Sequence, residues 1–463
     1  MEKGRNTALN KMSGIPWREK FAFCLGDPGL TLVYALTTGL LIYFYTNVVG
    51  ISAGIVGTIM LVSRLFDGVT DLIMGFIIDN TKSKYGKCRP WILRLTIPYG
   101  IAAVLLMTVP HSSVTVQAIY IFVTYNLMNS VLYTGIGLPY STLGSLITRD
   151  QDERTVITNV RMAFSTIASL IITALTLPLI NRLGGDQRAW IMVTAIYAVV
   201  AMLLLFNCFY QTRERVQVAQ QEQEKLPIMT GLKALVQNKY FFFSLAMLIV
   251  FTAYQILLST DLAYYCQYVL GDNELMSPLS MAEKIPQLLC ILCLPFMVKK
   301  FRKREMVLVG SAIGLIGSLV TLSHPESMTV LIIGAALRGI GIGPYYGVCF
   351  ALMADTVEYG DWKTGIRIEG LLFSATTVAQ KFGSGITSAV IGWAFSAAGF
   401  DGTAAVQTAS AVATIKGAFL YAPIVIWVLF LVLMAIYKLD KMYPQIIKEL
   451  NEREAKRAQM NEQ

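Results

Sequence analysis

The sequence predicts an all-α integral membrane protein of twelve transmembrane helices, arranged as two six-helix halves. Three observations carry that prediction. The 463-residue chain is 55% hydrophobic and only 14% charged, whereas a soluble domain carries about a quarter charged residues. Its mean hydropathy is +0.57. About 20 apolar residues cross the hydrocarbon core as a helix, and the chain offers twelve stretches long enough to do so.

Taken in order, the stretches run over roughly 21–48, 52–78, 91–110, 114–146, 156–180, 189–210, 240–270, 276–298, 305–323, 327–354, 370–398 and 414–437. Several exceed the minimum length, which implies tilt or ends that project into water. The longest polar connection, QTRERVQVAQQEQEKLPIMTGLKALVQNK, follows the sixth stretch. The expected organisation is therefore an N-terminal segment over 1–20, a first half over 21–210, a central loop over 211–239, a second half over 240–437 and a charged tail over 438–463. The apolar stretch after the polar N-terminus is too long for the core of a signal peptide, so no cleaved targeting segment is expected.

Charge sets the orientation. Of the 38 lysines and arginines, 29 fall on the side that holds both termini and the central loop; the opposite loops hold Arg182 and Arg188. Basic residues favour the cytoplasmic side, so both termini are expected in the cytoplasm and the chain in the plasma (inner) membrane. The same asymmetry accounts for the net charge of +9 without any nucleic acid. The loop GFIIDNTKSKYGKCRPW gathers Lys82, Lys84, Lys87 and Arg89 round a turn at Gly86, with Asp79 at the helix end facing them. VKKFRKRE is its basic counterpart in the second half. Positive-inside topology alone explains these cations; an ion pair from Asp79 that locks a gate is the alternative.

Charges within apolar stretches demand a reason, because one at the bilayer centre costs ~2.5–3.5 kcal/mol on insertion scales. Arg94, Lys284 and Lys416 lie near ends and can reach the interface. RLFDGVTDLIMGFIIDN is different: Asp67 and Asp71 are four apart and stack on one helix face, with Arg64 on the same stripe. Two stacked carboxylates in a low dielectric bind a proton or hold a cation between them. Arg64 can offset one charge, and Thr70 stands next door as a neutral oxygen for Na⁺. In FCLGDPGLTL, Asp27 sits among Gly26, Pro28 and Gly29; helices broken in this way mark binding sites in transporters. An ionised aspartate accepts hydrogen bonds from sugar hydroxyls. Arg161 in TNVRMAFS and Lys381 in TTVAQKFGSG can grip a polyol or a carboxylate. Asp261 in LLSTDLAYY is read as balancing Lys381 or another buried base. Tyr133, Tyr140, Tyr345 and Tyr346 lie in the Gly/Pro-broken segments YTGIGLPY and GIGPYYG, where tyrosine offers a flat face to a sugar ring; ordinary packing is the plainer reading. RGIGIG has no strand before it, so its glycines are read as close helix packing rather than a dinucleotide loop. Cys290 and Cys293 form a C-x-x-C in wholly apolar company and are read as small packed residues.

With these blocks in view, the chain resembles the glycoside–pentoside–hexuronide:cation symporter family nearly end to end. The resemblance rests on Gly26, Asp27 and Pro28 with FYTNVVGISAGIVGT, on RLFDGVTDLIMGFIIDNTKSKYGKCRPW, and on ADTVEYGDWKTGIRIEGLLFS followed by Lys381. It implies a major-facilitator fold and uptake of a sugar coupled to H⁺ or Na⁺, with no other cofactor and no metal beyond a Na⁺ at Asp67 and Asp71. By motif match, Asp67, Asp71, Thr70 and Thr134 form the cation site. Asp27, Arg161, Tyr133, Tyr346 and Lys381 contact or line the sugar site. Arg64, Asp79, Asp261, Arg338, Asp355, Glu358, Arg367 and Glu369 form a gating charge network. Two departures stand out. Gly137 replaces a sugar-binding aspartate of the galactoside branch, and Thr70 replaces an amide. The last block resembles the hexuronide and pentoside branches, and Arg161 with Lys381 could serve a carboxylate, so a β-glucuronide or other hexuronide is the expected cargo, with a pentoside or other oligosaccharide as the alternative. The expected partners are a sugar, a cation and the bilayer, and nothing demands an oligomer. A lipid or lysolipid translocator would favour an apolar cavity, against which the buried charges argue. A sensor would carry an added domain, which the tail does not offer. The chain's two histidines, His111 and His324, fall in short loops, and no nucleophile–base set points to an enzyme.

Overall fold

A computed structural model describes residues 15–148, 151–215, 228–298, 300–366, 369–404 and 406–461. Among these residues every regular element is a helix, with no strand. The helices are α1 Trp17–Cys24, α2 Gly26–Gly39, α3 Leu41–Tyr43, α4 Ala53–Asn80, α5 Arg89–Met107, α6 Val114–Tyr125, α7 Thr134–Ile147, α8 Gln151–Arg182 and α9 Gln187–Gln211. There follow α10 Ile228–Gln237, α11 Lys239–Tyr265, α12 Met276–Met297, α13 Lys303–Ser323, α14 Met328–Thr364, α15 Glu369–Ala397, α16 Ala409–Leu420, α17 Ala422–Ile436 and α18 Leu439–Asn461. Wider π-type turns occupy Phe44–Val48, Asn126–Tyr133 and Cys266–Leu270. Eight helical stretches among the described residues are long and apolar enough to cross a membrane. Large apolar side chains such as Phe76 and Leu203 stand exposed on the outside, as a surface solvated by lipid requires.

The chain divides into two compact units, Met1–Thr37 with Leu65–Gln221, and Thr38–Arg64 with Glu222–Gln463. In the first, α5 packs chiefly on α9, and Gly100 lets Met202 come close: a Cβ there would lie 2.6 Å from its sulfur. In the second, α14 packs on α12 and α13, and α11 on α15. The glycines of RGIGIG explain the first two contacts. Gly339 and Gly343, four apart, face Glu283 and Cys290 of α12; Gly341, on the other side, meets Gly310 and Gly314 of α13. With no hydrophobic drive between helices in lipid, such close backbone approach supplies the packing.

The break in the first apolar stretch is a single residue, Leu25, between α1 and α2. Two elements depart from expectation. The tenth stretch runs as α14 to Thr364 and stops at Gly365, in the left-handed region at φ 70°, so much of the ADTVEYGDWKT block is helix rather than loop. Its extra turns are held sideways: Lys303 pairs with Asp355 at 2.6 Å, Asn238 donates to the Thr356 carbonyl and Trp362 to Glu449. The tail, read only as charged, folds as α18, held by that Trp362 contact and by Arg453 donating to the Trp362 carbonyl.

Candidate functional site

The acid pair is built as a ladder. On α4, Asp67 is buried at 2% exposure and Asp71 is half-buried. Facing them are hydroxyls at the same four-residue spacing. Ser130 donates to Asp67 Oδ1, and Thr134 donates to Asp71 Oδ1 at 3.0 Å. Ser130 also meets Asn126 Oδ1 at 3.2 Å. These partners lie in or next to the π-type turn Asn126–Tyr133, a geometry often found at functional sites. Hard oxygens in this number, with two carboxylates among them, suit a small cation or a proton. Thr70 turns its hydroxyl back along α4, donating to the Phe66 and Asp67 carbonyls at 3.1 Å. Ser130 and Asn126 were missed from sequence, although the spacing Asn126, Ser130, Thr134 echoes that of Asp67 and Asp71.

A second polar cluster forms between α2 and α8. Asp27, Thr31 and Tyr34 lie on one stripe of α2. Arg161 Nε approaches Asp27 Oδ2 to 3.9 Å, each side chain about a quarter exposed. One turn on, Thr31 and Ser165 share a hydrogen bond of 2.7 Å. Tyr34 stacks on Tyr133 with ring centroids 4.8 Å apart. The Arg161 guanidinium lies over the Tyr140 ring at 5.8 Å, and the Tyr140 hydroxyl is fixed by the Phe23 carbonyl at 2.7 Å. Tyr140 therefore supports the cluster from below, as does Gly26, where a Cβ would lie 2.6 Å from the Tyr140 ring. Thr31, Tyr34 and Ser165 were not legible in advance, since a lone hydroxyl in an apolar helix usually bonds back to its own carbonyls.

The remaining candidates are placed as follows. In the second unit, Tyr346 is 42% exposed and its ring meets Phe251 at 5.6 Å; Tyr345 is buried. Lys381 is half-buried on α15. The stem of Arg64 packs on Gly385. Asp355 is paired with Lys303; Glu358 is half-buried. Arg338 is buried, its guanidinium over the Phe419 ring at 5.2 Å. Lys416 reaches Glu326 at 3.3 Å. Arg367 and the side chains of Asp79 and Glu369 lie outside the described residues. The loop that follows Asp79 is anchored by Glu214. Its carboxylate accepts the backbone N–H groups of Lys87, Cys88 and Arg89 at 2.8–3.0 Å, at the N-terminus of α5, where a negative charge is favoured. The reading of Asp261 as balancing Lys381 is corrected. Its carboxylate oxygens have no hydrogen-bond partner among the described residues. Gly383, two residues from Lys381, packs on Ile249, and twelve residues separate Ile249 from Asp261, about 18 Å along a helix.

An all-helical membrane chain with buried carboxylates facing hydroxyls, and a separate acid–base cluster, is a transporter rather than an enzyme. Comparison with known proteins agrees. The family model described as MFS/sugar transport protein matches residues 22–441, and the chain belongs to that family, the glycoside–pentoside–hexuronide symporters. It is 32% identical to the isoprimeverose transporter of Lactiplantibacillus pentosus, over 95% of this chain and 92% of that one. It is 29% identical to a protein named as a glycoside/cation symporter in Escherichia coli (strain K12), over 92% and 93%. It is 28% identical to the glucuronide carrier protein homolog of the same organism, over 96% and 98%. Among solved structures, a D-xylose–proton symporter superposes with a TM-score of 0.69 at 13% identity, covering 92% of this chain and 98% of that one; at that identity the likeness concerns the major-facilitator fold alone. The chain is a cation-coupled sugar symporter.

Proposed function

We propose that the chain imports a neutral glycoside, held first at Asp27 and Arg161, in symport with a cation held at Asp67, Asp71, Ser130 and Thr134. The observation that carries this is the 3.9 Å separation of Arg161 Nε from Asp27 Oδ2, with Arg161 Nε lacking any hydrogen-bond partner among the described residues. The pair is in Coulombic reach, Asp27 is also met by the Ser165 hydroxyl, and Arg161 Nε keeps a hydrogen-bond vacancy. A sugar hydroxyl both donates and accepts, so it fits between them, donating to Asp27 and accepting from Arg161. Tyr34 and Tyr133 supply a flat apolar face nearby. A uronate would have to compete with Asp27 for Arg161, which weighs against the hexuronide reading. The isoprimeverose relative supports a neutral cargo. The glucuronide-carrier relative supports the second reading, in which Lys381 takes the carboxylate. Thr70 borders the cation, both termini lie in the cytoplasm, and twelve spans carry alternating access.

The test uses the protein in vesicles with labelled glycosides. Asp27→Ala should weaken binding at least tenfold, since a hydrogen bond to a charged group is worth about 1.5–3 kcal/mol; an unchanged dissociation constant would refute the role of Asp27. Neutral pentosides and glucosides should compete better than their uronates, and the reverse order would establish the hexuronide reading.

A further inference from the structure

Asp261 is fully buried near the end of α11, at 0% exposure, and neither carboxylate oxygen has a hydrogen-bond partner among the described residues. Its neighbour Thr260 is also sealed, with an unpartnered hydroxyl. The surroundings are aromatic. Tyr264, one turn on, meets Tyr43 at 5.5 Å, Phe395 at 5.0 Å and Phe400 at 5.4 Å. Its hydroxyl is already engaged with Thr46 at 2.7 Å. Tyr265, four residues on, stacks on Phe419 at 4.1 Å and donates away, to the Pro325 carbonyl.

The charged and titratable groups on neighbouring elements do not neutralise this carboxylate. Arg338 on α14 lies over the Phe419 ring at 5.2 Å and makes no hydrogen bond to Asp261. Lys416 on α16 is engaged by Glu326. Lys381 on α15 lies near the level of Ile249, three turns away. Tyr43 on α3, with Cys266 and Tyr268 beyond the end of α11, completes the set, and none bonds to Asp261. An ionised carboxylate in such a place would lack both solvent and counter-charge, and the physical resolution is to neutralise it.

We propose that Asp261 is a proton-binding site of the second unit, separate from the Asp67–Asp71 pair. In the conformation seen here the carboxyl holds its proton. When that end of α11 admits water, the O–H bond breaks, the proton passes to water and the carboxylate remains. A proton needs no cavity, which is why a sealed site can serve. The inference is independent of the cargo and of the cation at Asp67 and Asp71.

The experiment is infrared spectroscopy of the full-length protein in lipid vesicles at neutral pH, with carboxyl-¹³C aspartate as the isotopic label. The wild type should show the C=O stretch of a protonated carboxyl, shifted by the label and lost in Asp261→Asn. Asp27→Asn, Asp67→Asn and Asp71→Asn should each retain it. A wild type with no label-sensitive band, or an Asp261→Asn protein that keeps the band intact, overturns the proposal. Should Asp261→Asn fail to reach the membrane, Asp261→Glu with the same aspartate label decides: the label-sensitive component must disappear, and its persistence overturns the site.

Discussion

Asp67 and Asp71 differ in setting though they share a helix face. Asp67 is sealed and bonded to Ser130; Asp71 is half-buried and bonded to Thr134. If the proposed cation binds here, the half-buried Asp71 is the member open to its approach. Thr134→Val keeps the shape and removes one hydroxyl from the ion's surroundings. It should lower cation affinity about tenfold, the scale of one hydrogen bond to a charged group, while sugar affinity at saturating cation stays within about twofold. Cation-dependent quenching or calorimetry checks the first, and labelled-glycoside binding the second. The acid pair itself was legible in the sequence, because spacing of four in an apolar helix has few meanings. Its hydroxyl partners were not, because serine and threonine are common in membrane helices and usually satisfy themselves, as Thr70 does.

At the scale of elements, two polar anchors hold the parts that meet water. Glu214 closes the N-terminus of α5, and Gly86 beside it, at φ 96°, sits where a Cβ would collide with the Glu214 carboxylate. Glu19 grips the same segment through a two-pronged contact with Arg215 at 2.6 Å. Glu214→Ala leaves three N–H groups to water and should destabilise the first unit by about 2 kcal/mol, read as a lower midpoint in thermal unfolding; a midpoint within experimental error of wild type would rule out the anchor. The second anchor is Glu449 of α18. The Trp362 indole N–H, and next the Gln445 amide, hold its carboxyl below the usual glutamate range. A depressed value means that the contact contributes in full above the ordinary pKa of about 4.3 and is lost as pH falls from there through the lower folded-state value. Limited proteolysis should therefore release α18 more readily in acid than at neutral pH. Trp362→Phe should release it equally at both. The helical tail and the long α14 escaped the sequence reading for one reason: their stability comes from these distant partners, not from apolar length.

For the whole molecule, the apolar ruler located the helices well. The Gly- and Pro-broken segments likewise pointed to α2, although the break there is only Leu25. What the ruler could not see was which side chains would converge across helices, since pairs such as Asp27 with Arg161 or Thr31 with Ser165 are more than a hundred residues apart. The coupling prediction belongs at this scale. Imposing Na⁺ and pH gradients separately on vesicles should show accumulation driven by one of them, and Asp67→Asn or Asp71→Asn should abolish accumulation while downhill exchange persists. Accumulation indifferent to both gradients, or unimpaired in both variants, would exclude the acid pair as the coupling site.

The two rungs from α4 share one arithmetic. Ser130 to Asp67 and Thr134 to Asp71 both span 63 residues of sequence. A slip of either strand of this ladder by a single position would unfasten both rungs together, never one alone. The two rungs thus behave as a pair of teeth that together fix one register between α4 and the turn leading into α7.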